Sequence, residues 1–312
     1  MSVAEDNRPS GPGPQGAARG WRLTHDAMAC TFGVRIAADD ERYAEQAARA
    51  AFDEVDRLEQ LLNRFIPHSD IARINELRAG ESVRVALETS DCLQLAATIH
   101  DDTHGAFDIA FRGRRRASPA GAAARVNAPL VFDPVSRVVG AQADGVELDL
   151  GGIGKGFALD RMAAVLREWR IDAALLDSGQ STVYALGRPN RAGAWRVGLR
   201  RPERQEQALE TLELCDQALS GSGQRLHGAH IVDPRTGRPA EQHAAAWALA
   251  PTAAVSDALS TAFMVMTPAE VAGYCERHGD VGAILLRPAA AGEELLYYGA
   301  RPRPAEAGGA AS

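Results

Sequence analysis

Residues 173–214 read AALLDSGQSTVYALGRPNRAGAWRVGLRRPERQEQALETLEL. Four short runs, AALLDS (173–178), STVYALG (181–187), WRVGLR (195–200) and LETLEL (209–214), read as strands separated by turn and loop residues. No helix is read between them. Strands that follow one another directly pair antiparallel, whereas a doubly wound parallel sheet needs a crossover helix after each strand. The fold class expected is therefore α+β, with mixed, largely antiparallel sheets and packed helices.

Helices and further strands flank this stretch. On the N-terminal side, THDAMACTFGVRI (24–36) reads as one strand. Asp39 and Asp40 supply an N-cap, and the helix that follows runs to about Asn63. Ala44, Ala47, Ala51, Phe52, Val55, Leu58 and Leu62 stand at helical spacing along it. RFIPHSDIARIN (64–75) holds a Pro turn, a cap at Ser69 and a short helix, and a second amphipathic helix is expected over about 90–103. VELDL (146–150) reads as a strand leading into GGIGKG and a helix over about 157–169. On the C-terminal side come strand AAAWALA (244–250), a helix over about 255–266, one more helix, and closing strands VGAILL and ELLYY. Residues 1–20 and 301–312 are expected to be disordered tails on either side of one folded domain, 21–300.

The chain has 312 residues, is 46% hydrophobic and 24% charged, and carries a formal net charge of -7. That balance argues against a nucleic-acid binder. No apolar stretch is long enough to span a membrane, so no membrane insertion is expected. The N-terminal residues have no apolar core of the secretory kind, and a cytoplasmic location is the expectation. Cys30, Cys92, Cys215 and Cys275 are scattered with no CxxC pair and read as reduced thiols.

Of the 34 basic residues only Lys155 is a lysine. It sits in Asp149-Leu-Gly-Gly-Ile-Gly-Lys155-Gly156, a strand, a Gly-rich turn and a helix start. Such a turn lets backbone N–H groups approach a phosphate, and the ammonium adds a compact charge. A tight turn that merely needs glycines looks similar. The spacing is neither Walker A nor the Rossmann GxGxxG. Asp257 and Thr261, four apart in SDALSTAFMVM, put a carboxylate and a hydroxyl on one helix face, hard oxygen donors suited to Mg²⁺. A helix-dipole Asp beside a self-bonded Thr would read the same. His230 in HIVDPRTG can act as a general base, with Asp233 orienting it or shaping the turn. In GAFD (105–108) the backbone can clasp a planar ligand, with Asp108 accepting a hydrogen bond. A helix stop with a core Phe is the plainer alternative.

Taken in order, DAMACTF (26–32), RFIPHSDIARIN (64–75), GAFDIA (105–110), DLGGIGKGFALD (149–160), SGSGQRLHGAHIVDPRTGRP (220–239) and SDALSTAFMVM (256–266) resemble the ApbE family of FAD:protein FMN transferases. The resemblance implies FAD as substrate and a divalent metal, usually Mg²⁺. The metal would be held by the side chains of Asp257 and Thr261 and the Gly152 carbonyl, with a lesser contribution from Ser260. It implies a flavin-nucleotide site lined by Met28, Phe65, Ala106, Phe107, Asp108, Asp149, Lys155 and Ile231. It implies catalytic roles for His230, Asp257 and Lys155, and an acceptor flavoprotein presenting a Thr or Ser hydroxyl. Lys155 would act on phosphate directly or through Asp149, and a neighbouring carboxylate could replace His230 as base. Phe65 stands where many relatives carry Tyr, and Asp177-Ser178-Gly179-Gln180 where many carry Asn-x-Gly-Gly. The same residues also suit a metal-dependent FAD pyrophosphatase or a non-catalytic FAD-binding protein.

Overall fold

The computed structural model describes residues 20–111, 130–179, 181–190, 193–200, 208–223, 231–289, 292–301 and 303–304. Eight strands form the main sheet: β1 (Gly20–Ala27), β2 (Cys30–Ala37), β6 (Ala174–Ser178), β7 (Thr182–Leu186), β10 (Gln217–Gly223), β11 (Ala245–Ala250), β12 (Gly282–Ala289) and β13 (Gly292–Gly299). Their spatial order is β1-β2-β6-β7-β10-β11-β12-β13, and every ladder is antiparallel. A three-stranded sheet joins β8 (Trp195–Arg200), β9 (Ala208–Leu214) and β14 (Arg303–Pro304), and another joins β3 (Ser82–Arg84), β4 (Leu130–Asp133) and β5 (Val138–Ala141). β14 lies within the stretch expected as a C-terminal tail.

One face of the main sheet carries helices α1 (Glu41–Leu62), α4 (Gly154–Glu168) and α5 (Ala253–Phe263). Phe32, Val34, Leu176 and Ala248 point into this layer and are fully buried. The other face carries a second cluster, in which Trp195, Leu199, Leu212 and Leu214 of the β8–β9 sheet cover Ala185, Leu219, Trp247 and Leu249. The main sheet is thus buried on both faces over much of its width, which explains why β11 is buried at all six positions. The remaining helices are α2 (Asp70–Asn75), α3 (Leu87–Asp102) and α6 (Pro268–Arg277). Among the described residues no helix is long and apolar enough to cross a membrane. All four cysteines are free.

Several expectations hold in kind and shift in extent. Asp40 caps α1 by accepting from the Tyr43 N–H, and Ser69 caps α2 through Ala72. α4 begins three residues before the expected Phe157, and α5 occupies Ala253–Phe263 rather than 255–266. The single strand read over 24–36 is a hairpin. It reverses at Met28 and Ala29, both with positive φ (49° and 58°), a turn that ordinarily selects Gly or Asn. VELDL is not a strand. Its backbone bonds to a side chain and a loop instead: Asn75 donates to the Leu148 carbonyl (3.1 Å) and accepts its N–H (2.7 Å), and the Asp149 N–H bonds Ile109 O. β3, β4, β5 and β10 had no expectation behind them.

Candidate functional site

α4 and α5 meet at the end of the main sheet where the chemistry-bearing segments converge. Their approach is close: a Cβ on Gly156 would lie 2.2 Å from the Ala253 carbonyl oxygen. Asp160 of α4 reaches over and accepts from the Ala253 and Ala254 N–H groups (2.7 and 2.9 Å), capping α5 from outside its own segment. Burial pushes the Asp160 carboxyl up to about 6 against the lowering effect of those N–H groups.

Asp257, on the second turn of α5, is 5% exposed. Its oxygens accept from two neutral donors, the Gly156 N–H (3.2 Å) and the Thr182 hydroxyl (3.3 Å), and Ser220 donates in turn to Thr182 (3.1 Å). Burial pushes the Asp257 carboxyl up, while the Lys155 charge and the two hydrogen bonds pull it down. A buried carboxylate whose direct hydrogen bonds are long and neutral is costly, and beyond the Lys155 charge a bound cation would offset that cost. Thr261 lies one turn on, and among the described residues its hydroxyl makes only a 3.5 Å contact with the Asp257 carbonyl. That hydroxyl is 3.3 Å from where a Cβ on Gly152 would stand, so Gly152 and Thr261 adjoin. Carboxylate, hydroxyl and carbonyl are the oxygen donors that Mg²⁺ takes. Ser260 faces elsewhere, bonding the Asp257 carbonyl and Ser222 (2.9 Å each). Among the described residues no three His, Cys, Asp or Glu side chains gather as a metal cluster.

The Gly-rich turn is less open to phosphate than its sequence suggests. The Gly154 N–H bonds Leu150 O, the Gly151 N–H bonds Asp149 (2.9 Å), and the Gly156 N–H is held by Asp257. Lys155 arches back to the Gly151 carbonyl (2.9 Å), which leaves its ammonium at the cleft wall as the positive element.

A cleft of about 1740 Å³ runs past these residues, well above the ~300–1,000 Å³ of drug-sized ligand pockets. Met28, Ala106, Phe107, Asp108, Asp149, Gly152, Lys155, Ile231, Asp257 and Thr261 all line it. The Met28 N–H is held by Glu59 of α1 (2.8 Å), which sets the hairpin turn at the cleft mouth. The GAFD turn is braced by His100, donating to the Phe107 carbonyl (2.9 Å), and by Thr103, accepting its N–H. Phe107 is 4% exposed, so it serves the core as well as the wall. Phe65 is outside the lining. It stands 76% exposed, with the Arg64 guanidinium 4.3 Å over its ring, and Arg64 in turn pairs with Glu147 (3.2 Å) of the wall. His230 lies outside the described residues. Asp233 forms a two-point pair with Arg235 (2.9 and 3.0 Å), so its carboxylate shapes the Pro/Gly turn. Cys30 also lines the cleft, and burial pushes its thiol up, which keeps it from being a thiolate nucleophile.

Thr182, Ser220 and Ser222 were not singled out from sequence. The available signal was alternation: Ser220 and Ser222 fall on one face of β10, and Thr182 is the direct cross-strand partner of Ser220.

A family model described as the ApbE family matches residues 28–285. The chain is 28% identical over 221 residues to an FAD:protein FMN transferase of Klebsiella pneumoniae (strain 342), covering 62% of this chain and 67% of that one. A second FAD:protein FMN transferase of that strain is 26% identical over 275 residues, covering 79% and 78%. Among solved structures, the apo flavinyl transferase ApbE of Pseudomonas stutzeri has a TM-score of 0.78 at 22% identity, covering 92% of this chain and 96% of that chain, a likeness of fold.

Proposed function

The chain belongs to the ApbE family, and from that premise we propose that it is a Mg²⁺-dependent FAD:protein FMN transferase. It moves FMN from FAD to a Thr or Ser hydroxyl of an acceptor flavoprotein and releases AMP. The observation that carries this reading is Asp257: a buried carboxylate with neutral partners, beside Thr261 and Gly152, on the wall of a cleft large enough for a dinucleotide.

In this mechanism the side chains of Asp257 and Thr261 and the Gly152 carbonyl hold the metal, which when bound offsets negative charge on the pyrophosphate. Lys155 places a second positive charge at the same wall, fixed by its bond to Gly151. Asp149, which accepts the Gly151 N–H, keeps that turn in place. Met28 and the Ala106–Asp108 turn clasp the nucleotide, and Ile231 packs against it. Phe65, exposed at the rim, stacks on its planar ring. The acceptor hydroxyl attacks the FMN phosphorus in line and the P–O bond to AMP breaks. His230, or a neighbouring carboxylate, takes the hydroxyl proton.

The test is mass spectrometry of a candidate flavoprotein acceptor incubated with the chain, FAD and Mg²⁺. An increment matching FMN, lost on chelation, is expected. Release of FMN and AMP without an increment would instead mean that water is the acceptor. Asp257→Ala is expected to abolish Mg²⁺-dependent turnover with the circular dichroism spectrum unchanged, and full activity in that variant would remove the metal assignment.

A further inference from the structure

The cleft does not end at the nucleotide side. It rounds the turn between β6 and β7, at Gly179 and Ser181, and continues over the opposite face of the main sheet to the edge of the β8–β9 sheet. There its lining changes character. Arg22 of β1 and Arg35 of β2 are direct cross-strand partners and so share this face, and Leu175 of β6 continues their row. Arg196 of β8 lines the facing wall. All three arginines are exposed, and among the described residues none makes an ion pair or a side-chain hydrogen bond. Elsewhere exposed or half-buried arginines are commonly paired: Arg57 with Glu54 and Glu88, Arg64 with Glu147, Arg161 with Glu54, Arg235 with Asp233 and Glu270.

Three unpaired guanidinium groups in one groove are a local excess of positive charge on a chain whose net charge is -7. Among the described residues two acids stand near them, Asp177, lying across Gly33 in the next row, and Glu213, the cross-strand partner of Arg196, so the three guanidinium groups still outnumber the carboxylates. Between the charges the floor is apolar, with the half-buried Leu175 and Val183 over the buried Leu199 and Trp247. An extended peptide has alternating side chains that fit such a floor, and carboxylates match the planar arginine fork.

We propose that this groove is the docking track for an extended, acidic segment of the acceptor protein, the segment that carries the modified hydroxyl into the cleft. This rests on the transferase reading above and adds to it the chemistry of the partner. The link is continuity: a hydroxyl delivered to the Asp257 side belongs to a chain that must leave the cleft, and the arginine track is the exit lined with unsatisfied charge.

The experiment uses the full chain with FAD and Mg²⁺ and short fluorescein-labelled peptides. Each peptide has one central threonine, flanked by glutamates or by glutamines. Fluorescence anisotropy at low salt is expected to show the glutamate peptide binding about tenfold tighter. That preference is expected to fall below about twofold in Arg22→Ala/Arg35→Ala/Arg196→Ala, with FAD affinity unchanged. Equal binding of the two peptides, no binding of either, or a preference that survives the triple substitution would overturn the proposal. So would loss of FAD affinity in the variant, because the groove would then serve the nucleotide. FMN transfer to a whole acceptor protein, measured separately on the unsubstituted chain, reports on the transferase reading alone.

Discussion

At the scale of residues, the site turns on how Asp257 is oriented. The order Ser220, Thr182, Asp257 is a run of hydroxyl donors from the inner face of the sheet onto a helix. Groups of this kind fix the rotamer of a metal-binding carboxylate, and removing them typically weakens metal affinity or activity by about 10–100-fold. Thr182→Val keeps the shape of a β-branched strand residue and removes the donor. It is expected to raise the Mg²⁺ concentration needed for half-maximal FMN transfer to the acceptor about tenfold, with the spectrum of the folded chain unchanged and Thr182→Ser restoring the response. An unchanged Mg²⁺ dependence would make the run merely structural. The sequence pointed to Asp257, Thr261 and Lys155 because each is tied to a local signal, an i, i+4 pair or a lone lysine in a Gly-rich turn. It did not point to Thr182, which meets Asp257 across a separation of 75 residues, or to Ser220, which meets Thr182 across 38. Phe65 was legible as an aromatic but not as an exposed rim residue with the Arg64 guanidinium over its ring.

At the scale of elements, the contact of α4 with α5 holds Lys155 and Gly152 against Asp257 and Thr261. Gly156 permits the approach and Asp160 caps the incoming helix. The Asp160 carboxyl titrates near 6 in the fold against an ordinary 3.8. Between those values the folded chain binds a proton more readily than the unfolded chain. This group's contribution to stability therefore falls as pH rises from about 4 to about 6 and is level above that. Thermal midpoints across this range are expected to show that slope in the unsubstituted chain relative to Asp160→Asn. The variant should also be less stable at every pH, because an amide has one oxygen for two N–H groups. A parallel pair of curves would remove the assignment. Helices were the legible elements, since α1 carries its period over 22 residues and a capping Asp40. The Met28–Ala29 reversal was not, because neither residue signals a positive φ, and Glu59, the anchor of that turn, is 31 residues away.

At the scale of the whole molecule, the main sheet separates two environments. Its inner face holds the helices and the Asp257 side of the cleft; its outer face holds the β8–β9 sheet and the arginine groove. Trp195 is the largest side chain that β8 and β9 contribute to the outer cluster, is 6% exposed, and donates to the Leu186 carbonyl (3.2 Å). Trp195→Ala is expected to lower unfolding stability by about 3–5 kcal/mol, measured by urea denaturation. FAD affinity should change little, since Trp195 is not in the cleft wall. A large loss of FAD affinity at native temperature would show that the two layers are coupled.

Composition and local pattern by themselves determined the antiparallel α+β class, the major helices with their caps, and the presence of a hard-oxygen pair and a lone lysine as candidates for the site. These are properties of neighbours along the chain: succession of strands, helical period, residue type. Only the tertiary structure decided that VELDL runs unpaired along Asn75, that the glycines of residues 151–156 serve helix approach more than an open phosphate cradle, and that Arg22, Arg35 and Arg196 face one groove. Each depends on groups distant in sequence competing for the same hydrogen bond or the same space, and that competition is resolved only when the chain packs.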